Sequence, residues 1–215
     1  SENTHTSSFM LGRVRSMKSE FMREWSRLHG DVSPSRVVIA WLNISYQLAK
    51  ALSVMRFTPN ALTLVGLGVS ILAPIFAPNP ASALFVVIAL IIDGCDGSLA
   101  IISQKVSVKG AIWDSLADRT AEGLWAIALW RIGVPIWLVT GLWILATTQE
   151  YLRARFNSQG NNEIGIVTVA ERPVRALLTA VSLIFYPVVT SLILLALQLH
   201  ALRSLSKHIA RELSH

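Results

Sequence analysis

Four aspartates in one stretch of the chain have the type and spacing for metal chemistry. The segment Ile91-Ile92-Asp93-Gly94-Cys95-Asp96-Gly97-Ser98-Leu99-Ala100 is followed by Gly110-Ala111-Ile112-Trp113-Asp114-Ser115-Leu116-Ala117-Asp118. Asp93 and Asp96 are three residues apart, Asp114 and Asp118 four, so on helices each pair shares a face. The link between the segments is short, which makes the two helices antiparallel neighbours whose acidic faces point into one cavity. Four carboxylates at the centre of a lipid-exposed helix pair would cost on the order of 10 kcal/mol to insert, which argues against a merely structural role. Crowded negative charges resist ionisation unless a cation sits among them. Lys105 and Lys109 fall in the loop, and Arg119 is rotated about 100° from Asp118 on a 3.6-residue helix. Two hard divalent cations would neutralise the four carboxylates, and oxygen ligands without His or Cys suit Mg²⁺ or Mn²⁺ rather than Zn²⁺. Such a pair serves phosphoryl chemistry, orienting the attacking oxygen and stabilising the leaving phosphate. Asp96 lies seven residues, about 10 Å, from the loop at Ser103, and Asp118 is at comparable depth, so the site opens to the loop side.

The elements that must carry these residues are apolar. Of 215 residues, 53% are hydrophobic and 15% charged, and the mean hydropathy is +0.52. An ordinary soluble domain has about 25% charged residues. This excludes a disordered chain and predicts an all-α, polytopic membrane protein with six transmembrane helices over 59–78, 81–103, 108–131, 134–156, 170–186 and 188–207, Tyr186-Pro187 forming the last turn. Each run is near the ~20 residues that span a bilayer, the last two being short. Before them, Met10, Val14, Met17, Phe21, Met22, Trp25 and Leu28 recur at helical spacing and predict an interfacial amphipathic helix. A second interfacial helix is expected over 34–55. The organisation read from this is a cytoplasmic amphipathic and juxtamembrane region over 1–57, a six-helix catalytic domain over 58–208 and a cytoplasmic tail over 209–215. No apolar h-region with a cleavage site is visible near the N-terminus, so no removable signal peptide is expected. The single cysteine, Cys95, excludes an internal disulfide and a thiolate metal cluster.

The net charge of +6 is read as topology rather than nucleic-acid binding. With the N-terminus in the cytoplasm, 17 of the 19 Lys and Arg fall on the inner side, leaving only Arg131 at an outer turn and Arg119 inside a span. The positive-inside rule therefore places both termini and the acidic site at the cytoplasmic face of a cell membrane.

The string Asp93-x2-Asp96-Gly97-x2-Ala100-x9-Gly110-x3-Asp114-x3-Asp118 resembles the signature of the CDP-alcohol phosphotransferase (CDP-alcohol phosphatidyltransferase) family, a long and specific pattern. Thr58-Pro59-Asn60-Ala61-Leu62-Thr63 looks like that family's lead-in to its first span. Tyr151-Leu152-Arg153-Ala154-Arg155 and Glu171-Arg172-Pro173-Val174-Arg175 resemble the actinobacterial, hence bacterial, phosphatidylinositol phosphate synthases. The resemblance covers about residues 36–207. It implies transfer of a phosphatidyl group from CDP-diacylglycerol to an alcohol, with release of CMP, in a six-helix homodimer among membrane lipids. By the same resemblance Asp93, Asp96 and Asp114 would hold one metal and Asp93, Asp114 and Asp118 the second, with Asp118 also the general base. Thr58, Pro59, Asn60, Gly97, Ala100 and Pro173 would line the nucleotide pocket. Arg153, Arg155, Arg172 and Arg175 would face the acceptor, inositol phosphate or another polyol. Two positions depart from the pattern. Ile101 stands where the family has Arg, removing a bidentate donor for which Lys105, one turn further on, could substitute only as a point charge. Gln198 stands where the inositol-phosphate enzymes have a third basic residue.

Plainer roles compete with these. The four arginines also fit cytoplasmic topology charges. Trp113, Trp125, Trp130, Trp137 and Trp143 fit lipid interfaces, and His200 and His208 fit solvated or interfacial positions. Glu122 continues the Asp114 and Asp118 face, either supporting the site or pairing with Arg119. Two other functional classes remain open to the residues: a cation transporter, since intramembrane Asp also lines ion paths, and a catalytically silent CDP-lipid binder, suggested by Ile101.

Overall fold

The computed structural model describes residues 17–27, 36–158 and 168–213. The described chain is all-helical: α1 (17–27), α2 (Arg36–Val54), α3 (Pro59–Phe76), α4 (Ala81–Ile102), α5 (Val108–Arg131), α6 (Ile136–Asn157), α7 (Arg172–Ile184) and α8 (Pro187–Glu212). The six runs expected as spans correspond to α3–α8. The last continues through Glu212, so most of the tail expected over 209–215 is helix. Three of the helices, α3, α4 and α8, are long and apolar enough to cross a membrane. Only 28–33% of their most apolar stretches is buried within the chain, which leaves faces that hydrocarbon rather than water would cover. This is a multi-pass membrane protein. Of the expected N-terminal amphipathic helix, residues 17–27 are helical, and 1–16 and 28–35 lie outside the described residues.

The chain divides into two compact units, Ser1–Pro59 with Gly94–Ser107, and Asn60–Asp93 with Val108–His215. In the first, Leu42, Ser45, Tyr46 and Ala49 are buried, the i, i+3, i+4, i+7 pattern of one helix face. Leu42 and Tyr46 form an apolar cluster with Phe21 of α1, against which Ile101 and Ile102 pack. The Phe21 and Tyr46 rings are 5.2 Å apart. Ile101 therefore spends its side chain on packing. Ser98 Oγ donates to Ser45 Oγ at 2.9 Å, tying the end of α4 to α2.

The second unit builds its core from small residues, with Ala73, Ala89, Ala121, Ala128, Ala176 and Ala180 buried beside Trp125, Leu129 and Leu138. Such residues let helix backbones approach where no water drives association. α5 packs on α6 and α7, and α8 packs on both of those. The α5–α6 turn needs Gly133, whose φ of +96° is costly for any residue with a Cβ, and Arg131 Nη1 donates to the Pro74 carbonyl at 2.7 Å. Pro173 and Pro187 each stand in the first turn of their helix, where a missing N–H costs nothing. The Tyr186-Pro187 turn falls where the sequence places it.

Gly94 of α4 lies against Trp41 of α2. A methyl at this position would lie 2.3 Å from Cζ2 of Trp41 on α2. We predict that Gly94→Ala destabilises the protein by about 1–3 kcal/mol through overpacking, read as a lower thermal midpoint in detergent. Adding Trp41→Leu should recover most of the loss, and an unchanged midpoint in the single variant would contradict this packing.

Candidate active site

Helix spacing delivers Asp114 and Asp118 from one face of α5, and α4 delivers Asp93 opposite them. One carboxylate oxygen from each lies within 4.8 Å of the other two. An ion with oxygen ligands at about 2.0–2.1 Å spaces opposite ligands by about 4 Å, so the three oxygens stand close to the spacing that one small hard cation needs. All three residues are partly buried, and the donor set, carboxylates without His or Cys, has the chemistry of a Mg²⁺ or Mn²⁺ site. The expected fourth carboxylate, Asp96, is buried at 6% exposure and belongs to the other compact unit.

Protein cations share this cluster. Arg172, at the start of α7, reaches Asp93 through Nη1 in a close ion pair and Asp118 Oδ1 through Nη2 at 2.8 Å. Its guanidinium carbon also lies 5.8 Å from the Trp125 ring centroid, within reach of a cation–π attraction. Trp125 is only 2% exposed. It is thus a floor under Arg172, unlike Trp113, Trp130 and Trp137, which are exposed, and Trp143, which is exposed but donates from Nε1 to the Arg119 carbonyl at 2.9 Å. Arg119 Nη2 approaches Asp118 Oδ2 at 3.7 Å. Helix rotation alone turns Arg119 away from Asp118, but a long flexible side chain covers that arc.

A second network lies alongside. Arg175 is 3% exposed and donates from Nε and Nη2 to Glu122 Oε1 at 2.9 and 2.7 Å. It also donates from Nη1 to the Ala170 carbonyl at 2.8 Å and from Nη2 to Glu150 at 3.2 Å. Arg153 clasps Glu171 with two bonds of 2.7 and 2.6 Å, donates to Thr168 Oγ1 at 2.8 Å and touches the same Glu150 at 3.5 Å. Glu122 therefore pairs with Arg175 and not with Arg119. The bidentate fork that makes Arg a phosphate binder is here turned onto carboxylates in both Arg153 and Arg175. Arg155 is exposed.

The residues expected at the nucleotide are described within their own units. Thr58 and Asn60 are exposed at the head of α3, Pro59 and Ala100 are partly buried, and Pro173 is exposed. Gly97 faces open space, with no atom within 4 Å of an added Cβ. Gln198 is buried at 2%, and its backbone carbonyl accepts from Gln149 Nε2 at 3.0 Å. Sequence reasoning missed Glu150 and Glu171 as partners of the arginines. Their signal was adjacency, Glu150 three residues before Arg153 and Glu171 next to Arg172.

These features define a multi-pass membrane protein with an acidic centre of metal-binding type. The sequence profile of the CDP-alcohol phosphatidyltransferase family matches residues 48–203, and the chain belongs to that family of transferases. It is similar to the archaetidylinositol phosphate synthase of Pyrococcus horikoshii, 30% identical over 157 residues that cover 70% of this chain and 82% of that one. The same enzyme of Aeropyrum pernix is 29% identical over 156 residues, 70% and 80% of the two chains. Among solved structures, the fold matches Mycobacterium tuberculosis phosphatidylinositol phosphate synthase with CDP-DAG bound, at a TM-score of 0.64 and 20% identity over 78% of this chain and 94% of that one. The same protein in complex with manganese and citrate matches at 0.63, again with 20% identity, over 77% and 88%.

The Glu122–Arg175 pair is buried on both sides, 6% and 3% exposed. Removing one member of such a pair strands the other charge, at a cost of about 3–5 kcal/mol. We predict that Arg175→Met lowers the thermal midpoint sharply and that the double variant Arg175→Met with Glu122→Gln recovers a large part of it. If the double variant is no more stable than the single one, the pair is not the source of the loss.

Proposed function

We propose that this chain transfers a phosphatidyl-type group from CDP-diacylglycerol, or a closely related CDP-linked lipid, to a phosphorylated inositol, releasing CMP at the cytoplasmic face of a bacterial cell membrane. The observation that carries this reading is the convergence of Asp93, Asp114 and Asp118 within one 4.8 Å cluster among apolar helices. In this reading α3–α8 form six spans of a homodimer's protomer, with residues 1–57 as a cytoplasmic juxtamembrane region, 58–208 as the catalytic domain and 209–215 as the tail. The inositol phosphate synthases among the similar proteins support the acceptor class.

Asp93, Asp114 and Asp118 would hold divalent cations, with Asp96 added by the family motif. Such ions supply charge neutralisation at a diphosphate and lower the cost of CMP departure. The rest falls to the side chains. Asp118 accepts the proton of the acceptor hydroxyl, a role open to a carboxylate within hydrogen-bond reach of the attacking oxygen. Thr58, Pro59, Asn60, Gly97, Ala100 and Pro173 bound the nucleotide by the motif, and the small residues Gly97 and Ala100 leave room for a ligand to approach the helix. On the acceptor side the same resemblance offers Arg153, Arg155, Arg172 and Arg175. Arg153 and Arg175 are engaged by Glu171, Glu122 and Glu150, so an acceptor phosphate would have to exchange with a carboxylate to reach them. Arg155 presents its charge at the surface.

The test is CMP release by the purified protein from CDP-diacylglycerol and inositol phosphate with Mg²⁺ or Mn²⁺, the lipid product being identified by mass spectrometry against inositol and glycerol phosphate as alternative acceptors. Asp118→Asn should reduce turnover by about 10²–10⁴-fold, the usual contribution of a general base. Chelation should abolish turnover and readdition of either ion restore it. Full turnover in Asp118→Asn, or in excess chelator, would contradict the mechanism, and a different preferred polyol would move the acceptor assignment alone.

A further inference from the structure

Arg172 stands where a metal ligand set should be open. Its two terminal nitrogens bridge Asp93 and Asp118, and it is 13% exposed in those pairs. The cavity beside it, lined by Thr63, Ser70, Ala89, Asp93, Asp118 and Arg172, measures about 10 Å³, at or below the ~10–15 Å³ that one water needs. Asp118 Oδ1 is buried and faces the guanidinium, as Asp93 Oδ2 does, so both oxygens meet a positive charge rather than open space.

We infer that Arg172 is a built-in counter-ion of the acidic centre, one that occupies the place of a divalent cation between Asp93 and Asp118 and must leave before the ion can bind. This rests on the metal reading above. Three carboxylates within 4.8 Å of one another repel strongly in a low-dielectric surround, and the Arg172 guanidinium offsets this by ion-pairing with two of them. A dication brought to the same oxygens would face that fixed positive charge at ion-pair distance, so the two cations exclude each other. Trp125 provides the seat that keeps the guanidinium there. Once displaced, the same fork is a phosphate ligand in form, so admission of metal and presentation of a cation to a diphosphate become one movement. Arg172 is in this sense a positioning residue that sets the metal affinity of the centre. Arg119 carries the same charge beside Asp118 but touches only one carboxylate, at 3.7 Å, so it adds repulsion without occupying the site.

Binding of Mn²⁺ to the purified full chain in detergent, followed by the electron paramagnetic resonance signal of the free ion, tests this without turnover. Arg172→Gln should bind Mn²⁺ at least tenfold more tightly than the unaltered protein, and Arg119→Gln should tighten binding by a smaller factor. Unchanged or weaker binding in Arg172→Gln overturns the inference, as does an equal gain in Arg119→Gln, which would mean that charge alone matters. Should Arg172→Gln fail to fold, Arg172→Lys serves, since an ammonium point charge lacks the fork that closes both carboxylates. Tighter Mn²⁺ binding in the lysine variant supports the inference and unchanged binding overturns it. Absence of Mn²⁺ binding from the unaltered protein and all variants would overturn the metal reading and this inference together, whereas binding that is present but insensitive to Arg172 overturns the inference alone.

Discussion

Bringing three carboxylates together among apolar helices is the constraint from which the rest of this structure follows. Each charge taken from water carries a desolvation penalty of several kcal/mol unless opposite charge and directed hydrogen bonds replace the lost hydration. The chain supplies the opposite charge from a distant segment, by placing Arg172 at the start of α7 so that it bridges Asp93 and Asp118. This requires α7 to begin beside α5, and the packing of α7 on α5 and α8 puts it there. Pro173 in the first turn fixes where that helix starts.

The same requirement shapes the neighbouring network. Glu122 lies one turn beyond Asp118 and would extend the negative column if left alone. Arg175, one turn beyond Arg172 on α7, answers it with two bonds. Glu150 then links Arg175 to Arg153, and Glu171 closes on Arg153. Acid and base alternate from α5 through α7 to α6, so these helices are held by charge as well as by their alanine-rich contacts. It also explains why α3, α4 and α8 stand out as membrane-length apolar helices while α5, α6 and α7 do not. Asp114, Asp118, Arg119 and Glu122 sit inside α5, and Glu150, Arg153 and Arg155 inside α6. α7 has only 13 residues, a rise of about 20 Å.

What could be read from the sequence was whatever depends on local spacing. Asp114 and Asp118 share a face because four residues is close to one helical turn, and a short link to α4 then forces Asp93 toward them. The Tyr186-Pro187 break and the helix starts at Pro59 and Pro187 follow from what proline does to backbone. Contacts that depend on which helix packs on which were not legible. Arg172 looks from its surroundings like an acceptor ligand, and nothing near it in sequence says that it reaches Asp93. Glu122 likewise has Arg119 nearby but finds its partner 53 residues away. The clash that keeps position 94 a glycine comes from Trp41, on a helix that the sequence alone marks only as interfacial.

The central claim is that aspartate oxygens from neighbouring helices bind divalent cations. Anomalous scattering from crystals grown with Mn²⁺ tests it most directly, because it locates the ion independently of any assay. The account predicts manganese density bonded to Asp93, Asp114 and Asp118, with the Arg172 guanidinium no longer between the carboxylates. Crystals saturated with Mn²⁺ that show no anomalous peak there, with Arg172 still bridging Asp93 and Asp118, would contradict it.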